Sequence, residues 1–339
     1  FGKECMDVKP RHERRTLGFF SLWMTVLVAV IAPALGAPSR AFAVARSCTA
    51  DALANTVNVL CASGTCTPVL VRVTTPIEVT SGGCEFDLGG RALSVERTFQ
   101  MTGLGFIRVI NAGNITLTTL GKLKARGDFV QPNGFIIGGG LISLTSSGTI
   151  DIDGIIDVAG DSAGTVRLVA AQDITLEPGA VIDGPGISSF ADLGSRFTDG
   201  GDLAATAQAG SITIKGDITL SGQNGGTGGT VDFTAGRNLI MTRSIIVSGG
   251  GGDGGSFDAT VGDHITLTNG AINADSTVGG GFGGIVSLDA GEDFLGGVVA
   301  GGTIDIESAS FLMRGSATDT SGGDGGELDL LAAGRIRLF

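Results

Sequence analysis

The chain has 339 residues and a formal net charge of −12, from 34 Asp and Glu against 22 Lys and Arg. An acidic balance of this size disfavours nucleic acid and anionic membranes as partners. The chain contains one Trp, two His and no Tyr, and beyond residue 43 only His264 is left of these. A sugar-stacking platform of Trp or Tyr and a His-dependent catalytic triad are therefore both disfavoured.

The first 43 residues predict a signal peptide that is removed on export. A basic start precedes the apolar run at 17–37, and the small residues "AFA" at 41–43 indicate cleavage before Val44. The alternative is a retained membrane anchor. It is disfavoured because Pro and Gly interrupt the apolar run ahead of the cleavage site.

Residues 44–100 are expected to form an N-terminal cap and the first strands. The stretch "CTADALANTVNVLCAS" at 48–63 predicts one short capping helix, and 67–95 predicts strands. A cap is expected because the open end of a repeat array exposes strand edges that aggregate.

Four cysteines follow the signal peptide, and all lie in this N-terminal region: Cys48, Cys61, Cys66 and Cys84. Export makes disulfides the expected state. Three pairings are possible, and the short "ASGT" loop favours the pair Cys61–Cys66. Zinc binding is the alternative, and the lack of a nearby His disfavours it.

From residue 101 to 339 the chain repeats one phrase. A small residue and Gly precede a polar pair that often holds Asp or Asn, and alternating apolar residues follow. The apolar anchors of these phrases are Ile115, Ile174, Ile218, Leu239, Ile265, Phe294 and Ile336. The closest anchors are 21, 26 and 29 residues apart, and we interpret the wider gaps as skipped anchors. Periods of this size indicate stacked units.

The repeat predicts an all-β parallel β-solenoid, expected to be right-handed. In 229–255 alternating apolar residues place strands at about 230–234, 239–242 and 245–248, with Gly in the turns between them. No helical pattern follows any strand, so short strands can bury their apolar face only by coiling and stacking. The 59 glycines make a disordered chain the alternative, which the apolar alternation disfavours.

The phrase A-G-x-x-I-x-L with glycine-rich spacers resembles the repeats of filamentous-haemagglutinin-like bacterial surface proteins over about 105–339. In addition, "VQPNGFIIGGG" at 130–140 resembles an "NPNG" phrase of that family's secretion domain, with Gln131 in place of the first Asn. The resemblance implies a secreted or surface-bound protein of a Gram-negative bacterium. Proteins of this shape include adhesins, matrix proteins and polysaccharide-degrading enzymes.

One cluster of acidic residues suggests catalysis. In "GTIDIDGIIDVAGD" at 148–161, Asp151, Asp153 and Asp157 can share a solvent face. Such carboxylates can bind Ca²⁺ or act as an acid/base pair, as glycoside hydrolysis requires. Lys215 is a further candidate for that chemistry. The alternative is that outward positions of an acidic exterior protein are simply often Asp.

Glycine-rich loops at 249–255 and 321–326 resemble the calcium-binding repeat G-G-x-G-x-D-x-φ-x. This makes Asp253 and Asp324 candidate Ca²⁺ ligands, and no other cofactor is predicted. The alternative is that the glycines only shape a corner. His264 lies beside Asp263, but it occupies a repeat position held elsewhere by Asn238, which predicts a turn residue rather than a catalytic one.

These patterns predict an exported structural or adhesive element rather than an enzyme. Its partners would be surface glycans or other surface proteins, bound through many weak contacts. The main alternative is a polysaccharide lyase or glycoside hydrolase that uses Asp151, Asp153 and Lys215. Because the chain opens on Phe1 and closes within a repeat, we also expect a truncated product, and a passenger fragment of an autotransporter-like protein is a third interpretation.

Overall fold

The structure, a computed structural model, divides the chain into two units, 1–42 and 43–339. It describes residues 70–74, 76–79, 83–101, 105–126, 138–160, 162–186, 198–291, 301–317 and 323–339, together with the backbone of 46–47, 57–58, 61–62 and 65–66. The predicted signal peptide lies outside these residues. No helix among them is long and apolar enough to cross a membrane.

The described part of 43–339 is a parallel β-solenoid with three long sheets, which confirms the predicted fold class. The first sheet has ten strands, in spatial order Arg46–Ser47, Cys84–Asp87, Phe106–Ala112, Leu141–Ser146, Thr165–Ala170, Asp202–Ala207, Thr230–Ala235, Ser256–Val261, Ile285–Ala290 and Glu327–Ala332.

The second sheet has eleven strands: Val57–Asn58, Leu70–Val73, Ala92–Val95, Ile115–Leu117, Ile150–Ile152, Ile174–Leu176, Ile212–Ile214, Leu239–Met241, Ile265 within His264–Thr268, Thr303–Glu307 and Arg335–Leu338. The third sheet has nine strands: Ile77–Val79, Thr98–Met101, Lys122–Lys124, Ile155–Asp157, Val181–Asp183, Asp217–Thr219, Ile245–Ile246, Ala271–Asn273 and Ser310–Leu312. The pair Cys61–Ala62 and Thr65–Cys66 forms a separate ladder.

Each coil contributes one strand to each sheet, in the order first, second, third. In 229–255 the strands are Thr230–Ala235, Leu239–Met241 and Ile245–Ile246, which confirms the predicted pattern of strand, turn, strand, corner, strand and loop. Strands of successive coils pair in parallel and in register, so equivalent residues form columns along the rod at ~4.8 Å spacing. Handedness stays a prediction.

The inward columns form one continuous apolar core. Val231, Phe233, Ile265 and Ile304 are all fully buried, as alternation with period two requires. Large and small residues compensate between coils, since Phe257 lies over Val231 while Ala259 lies over Phe233. The rings of Phe233 and Phe257 pack edge to face, with centroids 5.6 Å apart.

The corner between the third and first sheets carries a column of glycines that we call the glycine edge: Gly140, Gly164, Gly201, Gly229, Gly255, Gly284 and Gly326. A Cβ at any of them would collide with the carbonyl oxygen of the glycine one coil before, or of Gly105 in the first case. The same carbonyls accept the next coil's strand, as when Ser256 N donates to Gly229 O at 3.0 Å. Close stacking therefore excludes side chains here.

From residue 125 onward, each connection from the third sheet to the first is closed at its base by a glycine of this column. Gly255 N donates to Val247 O at 2.7 Å, and Gly201 N donates to Gly184 O at 2.9 Å across a much longer connection. Loop length can therefore vary without disturbing the coil beneath. The bases of these loops lie along one edge of the rod.

The register between coils corrects two of the predicted anchors. Ile218 lies in the third sheet, and the second-sheet residue equivalent to Ile174 is Ile212. The wide gap after Ile174 is therefore one coil with a long loop and not a skipped anchor. Phe294 lies outside the described residues, and the second-sheet strand after Ile265 holds Ile304 instead.

The structure describes four residues of the predicted capping helix at 48–63, and these four are paired as strands. Val57–Asn58 pairs antiparallel with Leu70–Val73, and Cys61–Ala62 pairs antiparallel with Thr65–Cys66. The physical reason is that β-branched Val57 beside the open edge of the second sheet finds hydrogen-bond partners as a strand. The other residues of 48–63 lie outside the described part of the chain.

The last coil differs from those below it in burial. Leu328 and Ile336 are 41% exposed, although their counterparts one coil earlier, Val286 and Ile304, are fully buried. Among the described residues, none packs over this coil.

Candidate functional site

The three aspartates predicted to share a face are divided between sheets. Asp151 points outward from the second sheet, Asp157 lies in the third sheet, and Asp153 lies at the corner between them. The shared face is therefore wrong for Asp157, because the chain turns a corner at Gly154. Asp recurs in the sequence on both sides of this turn, but the turn places the later Asp on a different sheet.

Asp153 and Lys215 do lie on one column, although 62 positions separate them in the chain. Successive coils place Asp153, Glu177 and Lys215 in line, since Glu177 N donates to Ile152 O and Lys215 N to Leu176 O. Lys215 Nζ is 3.3 Å from Glu177 Oε2, so it forms an ion pair with the glutamate between it and Asp153. Sequence reasoning missed Glu177, whose place is visible only once the coils are aligned.

Asp151 and Asp153 both accept hydrogen bonds within the fold. Asp153 accepts from Thr119 Oγ1 at 2.7 Å and from the Gly179 amide of the next coil at 3.1 Å. Asp151 accepts from Thr149 Oγ1 at 3.2 Å. Each carboxylate is thus held by neighbouring side chains or backbone, Asp151 on the outer face of the second sheet and Asp153 at the corner after it.

Asp157 belongs to a different cluster, at the end of the third-sheet strand Ile155–Asp157. Its carboxylate is nearly buried and lies 3.9 Å from Lys124 Nζ and 3.7 Å from Arg126 Nη1. Asp183 stacks on it in register in the next coil. Burial, followed by the charge of Asp157, raises the pKa of the Asp183 carboxyl, while Arg126 opposes the rise. Sequence reasoning missed the pair of Asp157 and Asp183. The available signal was that both follow two apolar residues, in "IID" and "VID", at equivalent places of successive coils.

The two candidate calcium ligands share a column but not a site. Asp253, Phe282 and Asp324 lie on successive coils, because Gly254 N donates to Phe282 O and Gly283 N to Asp324 O. The aspartates are therefore about 10 Å apart along the axis at ~4.8 Å per coil. Asp253 Oδ1 accepts from the Phe282 amide at 2.9 Å. In the described part of the chain, no group of three or more His, Cys, Asp or Glu is placed to hold a metal ion.

The column of His264 has a structural role that the repeat phrase only hinted at. Asn114, Asp173 and Asn238 precede second-sheet strands, and each side chain accepts from a backbone amide of the next coil, at 3.1, 2.7 and 3.2 Å. The amide bound by Asn238 is that of His264 itself. The His264 Nδ1 lies 2.9 Å from Thr303 Oγ1, so the ring joins the same coil-to-coil contacts. These bonds explain the Asp or Asn in the repeat.

A groove of about 360 Å³ lies beside the glycine edge and crosses three coils. Its lining residues are Gly228, Thr230, Asp253, Gly254, Gly255, Ser256, Phe282, Gly283, Gly284 and Ile285. Glycines form the floor. Outward residues of the first sheet form one wall, and the bases of the returning loops form the other. Sequence reasoning singled out Asp253 in this region for calcium and missed the groove, which exists only when coils stack.

No protein-family model, curated protein or solved structure matches the chain. The site must therefore be judged from its own geometry.

Proposed function

We propose that this protein is an exported structural or adhesive β-solenoid of the bacterial cell surface or extracellular matrix. The supporting observation is the row of loops along one edge of a regular rod. Each loop is closed at its base by a glycine of the glycine edge, so loop sequence and length can vary while the rod stays constant. Weak contacts repeated along such a row add through avidity.

The acidic composition supports an exterior location and partners that are not polyanions. On this proposal the partners are surface glycans or other surface proteins, and no cofactor beyond bound Ca²⁺ is invoked. Secretion and removal of residues 1–43 are part of the proposal. The interpretation as a passenger fragment of a larger surface protein is compatible with it, since a passenger would present the same rod.

A polysaccharide-active enzyme is the second candidate, and one observation favours it. Asp151, Asp153, Glu177 and Lys215 come together on adjacent coils, and carboxylates with a nearby Lys suit glycoside hydrolysis or lyase chemistry. The hydrogen bonds and the ion pair that already engage these side chains favour the structural role.

The deciding experiment is a glycan array and a polysaccharide-depolymerisation screen on the purified chain, with and without Ca²⁺. Binding without product release is the expected result. Product release that Asp151→Asn or Asp153→Asn abolishes would instead establish the enzyme. If the chain neither binds nor cleaves any glycan, and binds nothing in surface-protein extracts, the adhesive function is contradicted.

A further inference from the structure

The groove beside the glycine edge is flanked by two exposed apolar residues of one coil, Phe282 and Ile285. Phe282 is 54% exposed and occupies the column of Ser162, Asp199, Thr227, Asp253 and Asp324. Ile285 is 49% exposed. Its column holds Thr165, Asp202, Thr230, Ser256 and Glu327, and also the apolar residues Phe106 and Leu141 far from the groove.

Folding does not require an apolar residue at either place. The other coils from residue 138 onward hold Gly, Ser, Asp or Thr in the column of Phe282, and five first-sheet strands begin with a polar residue in the column of Ile285. Val278, in the same loop as Phe282, is 66% exposed. Exposed apolar side chains gathered around a concavity indicate contact with a partner.

The other groups of the groove select the partner's chemistry. Thr230 and Ser256 present hydroxyls, and Asp253 presents a carboxylate whose Oδ1 is held by the Phe282 amide. Among the described residues, Asp253 Oδ2 has no hydrogen-bond partner, so it can accept one from a ligand. An aromatic face, an aliphatic edge, hydroxyls and one acceptor together suit a sugar ring, which has apolar C–H faces and hydroxyl donors at its rim.

Charge excludes acidic sugars. The first-sheet face beside the groove carries Asp202, Asp232 and Asp258, and from residue 202 to 331 its outward strand positions hold no Lys or Arg. Burial, and for Asp258 also the charge of Asp232, raises the pKa of the Asp202 and Asp258 carboxyls, although Thr230 opposes the rise at Asp202. A uronate or sulfate in the groove would meet this like charge.

We infer that the groove beside the glycine edge binds a neutral glycan chain lying along the rod axis, with a sugar ring packed on Phe282. The groove crosses three coils, so its length is about 10 Å at ~4.8 Å per coil, which fits a few sugar rings in an extended chain. This inference rests on the proposed adhesive function and assigns that function a site.

The test compares the full chain with two variants on immobilised glycans. The probes are cellohexaose and N-acetylchitohexaose as neutral chains and hexagalacturonate as an acidic one. The expected result is binding of a neutral chain that added salt does not weaken, because no ion pair is involved. Phe282→Ser should lower the affinity about tenfold or more, since it removes the stacking surface.

Ser256→Trp is the second variant. Ser256 points outward, so the indole fills the groove without entering the core, and binding should be lost. Leu120→Ser is the matched control, because Leu120 is 62% exposed on a corner between the second and third sheets. It should bind like the unaltered chain. Unchanged thermal unfolding confirms that each variant is folded.

Four results would overturn the inference. Neutral binding that survives both groove variants would place the glycan elsewhere and leave adhesion intact. Binding of hexagalacturonate alone would contradict the charge argument. Failure of all glycans together with Phe282-dependent binding of a purified surface protein would make the groove a protein site, again without contradicting adhesion. No binding of any partner would overturn both proposals.

Discussion

The pKa of an Asp carboxyl on this rod is shifted in different directions by its neighbours. Asp275 is nearly buried, and burial raises its pKa. The bonds from Arg314, including Nη2 to Oδ2 at 2.7 Å, outweigh that effect, so the pKa of the carboxyl is lowered. Among the described residues no cation pairs with Asp258, which stacks on Asp232, so burial and then repulsion raise its pKa. An ionised Asp is therefore stabilising at position 275, beside Arg314, and destabilising at position 258, on the face of the first sheet.

Asp258→Asn should raise stability at pH 7. Because the pKa of Asp258 is raised in the folded state, its ionised form is destabilising at neutral pH, and the penalty disappears as the pH falls through the folded pKa. A like-charged pair directly opposite in a sheet costs about 0.2–1 kcal/mol, and partial exposure places this one near the low end. Urea unfolding at pH 7 and at about pH 3 should show the gain only at pH 7.

Asp329→Asn serves as the control for that measurement. Asp329 lies in the same outward column two coils later, but its partner in register is Ser287. It removes one negative charge without relieving a stacked pair, so it should change the unfolding midpoint less than Asp258→Asn does. Equal gains would mean that overall charge, and not the stacked pair, is responsible.

Gly255→Ala should destabilise the rod strongly. The added methyl would collide with Gly229 O, a carbonyl that also accepts the Ser256 amide, so the backbone of two coils must separate. Overpacking typically costs about 1–3 kcal/mol, and here no side chain can yield. Thermal unfolding should show a lower midpoint. Gly325→Ala is the control, since its methyl would meet nothing closer than Met313 O at 3.9 Å. A loss as large as that of Gly255→Ala would contradict the stacking argument.

At the scale of elements, the short strands near the N-terminus constrain the cysteines. Cys61 lies directly opposite Cys66 across an antiparallel ladder. Residues opposite in such a ladder have Cα atoms about 4.5–5.5 Å apart, within the range of a disulfide. Arg46–Ser47 pairs with Cys84–Asp87, which brings the chain just before Cys48 onto the strand of Cys84.

We predict the disulfides Cys61–Cys66 and Cys48–Cys84, since Cys84 is disulfide-bonded. Proteolysis without reduction, followed by mass spectrometry, should recover both pairs of peptides. The Cys61→Ser, Cys66→Ser double variant is the internal control, and it should retain the second pair alone. Recovery of Cys48 bound to Cys61 or Cys66 would contradict the ladder seen here.

At the scale of the whole molecule, stability should be graded along the rod. Inner strands gain hydrogen bonds from the coil on either side, whereas Glu327–Ala332 and Arg335–Leu338 each pair with one described strand. The exposed Leu328 and Ile336 show the same asymmetry in packing. The rod is thus a one-dimensional array in which position decides local stability.

Hydrogen exchange should resolve this gradient within a single sample. Amides of Thr230–Ala235 should exchange slowest, and those of Glu327–Ala332 should exchange at least about tenfold faster, because a difference of 1.4 kcal/mol in opening suffices. The inner strand is the reference for the outer one. Equal protection would mean that something covers the last coil in solution.

The sequence by itself determined the fold class, because alternation of period two and a repeat of 20-odd residues leave few ways to bury an apolar face. It also predicted the three strands of 229–255. It misplaced Ile218 and the wide gap after Ile174, because loop length changes the spacing while a single glycine bond keeps the coil closed. The order of strands within a coil can be predicted from the local sequence. Which residues of successive coils lie in register cannot, because it depends on the length of the loops between them.

Only the tertiary structure decided which residues meet. Asp153, Glu177 and Lys215 are neighbours because coils stack, whereas Asp151 and Asp157 part because one corner turns between them. The groove at Phe282 exists for the same reason, since its walls come from three coils. Contacts between columns depend on register and loop closure over many residues, and no local pattern encodes them.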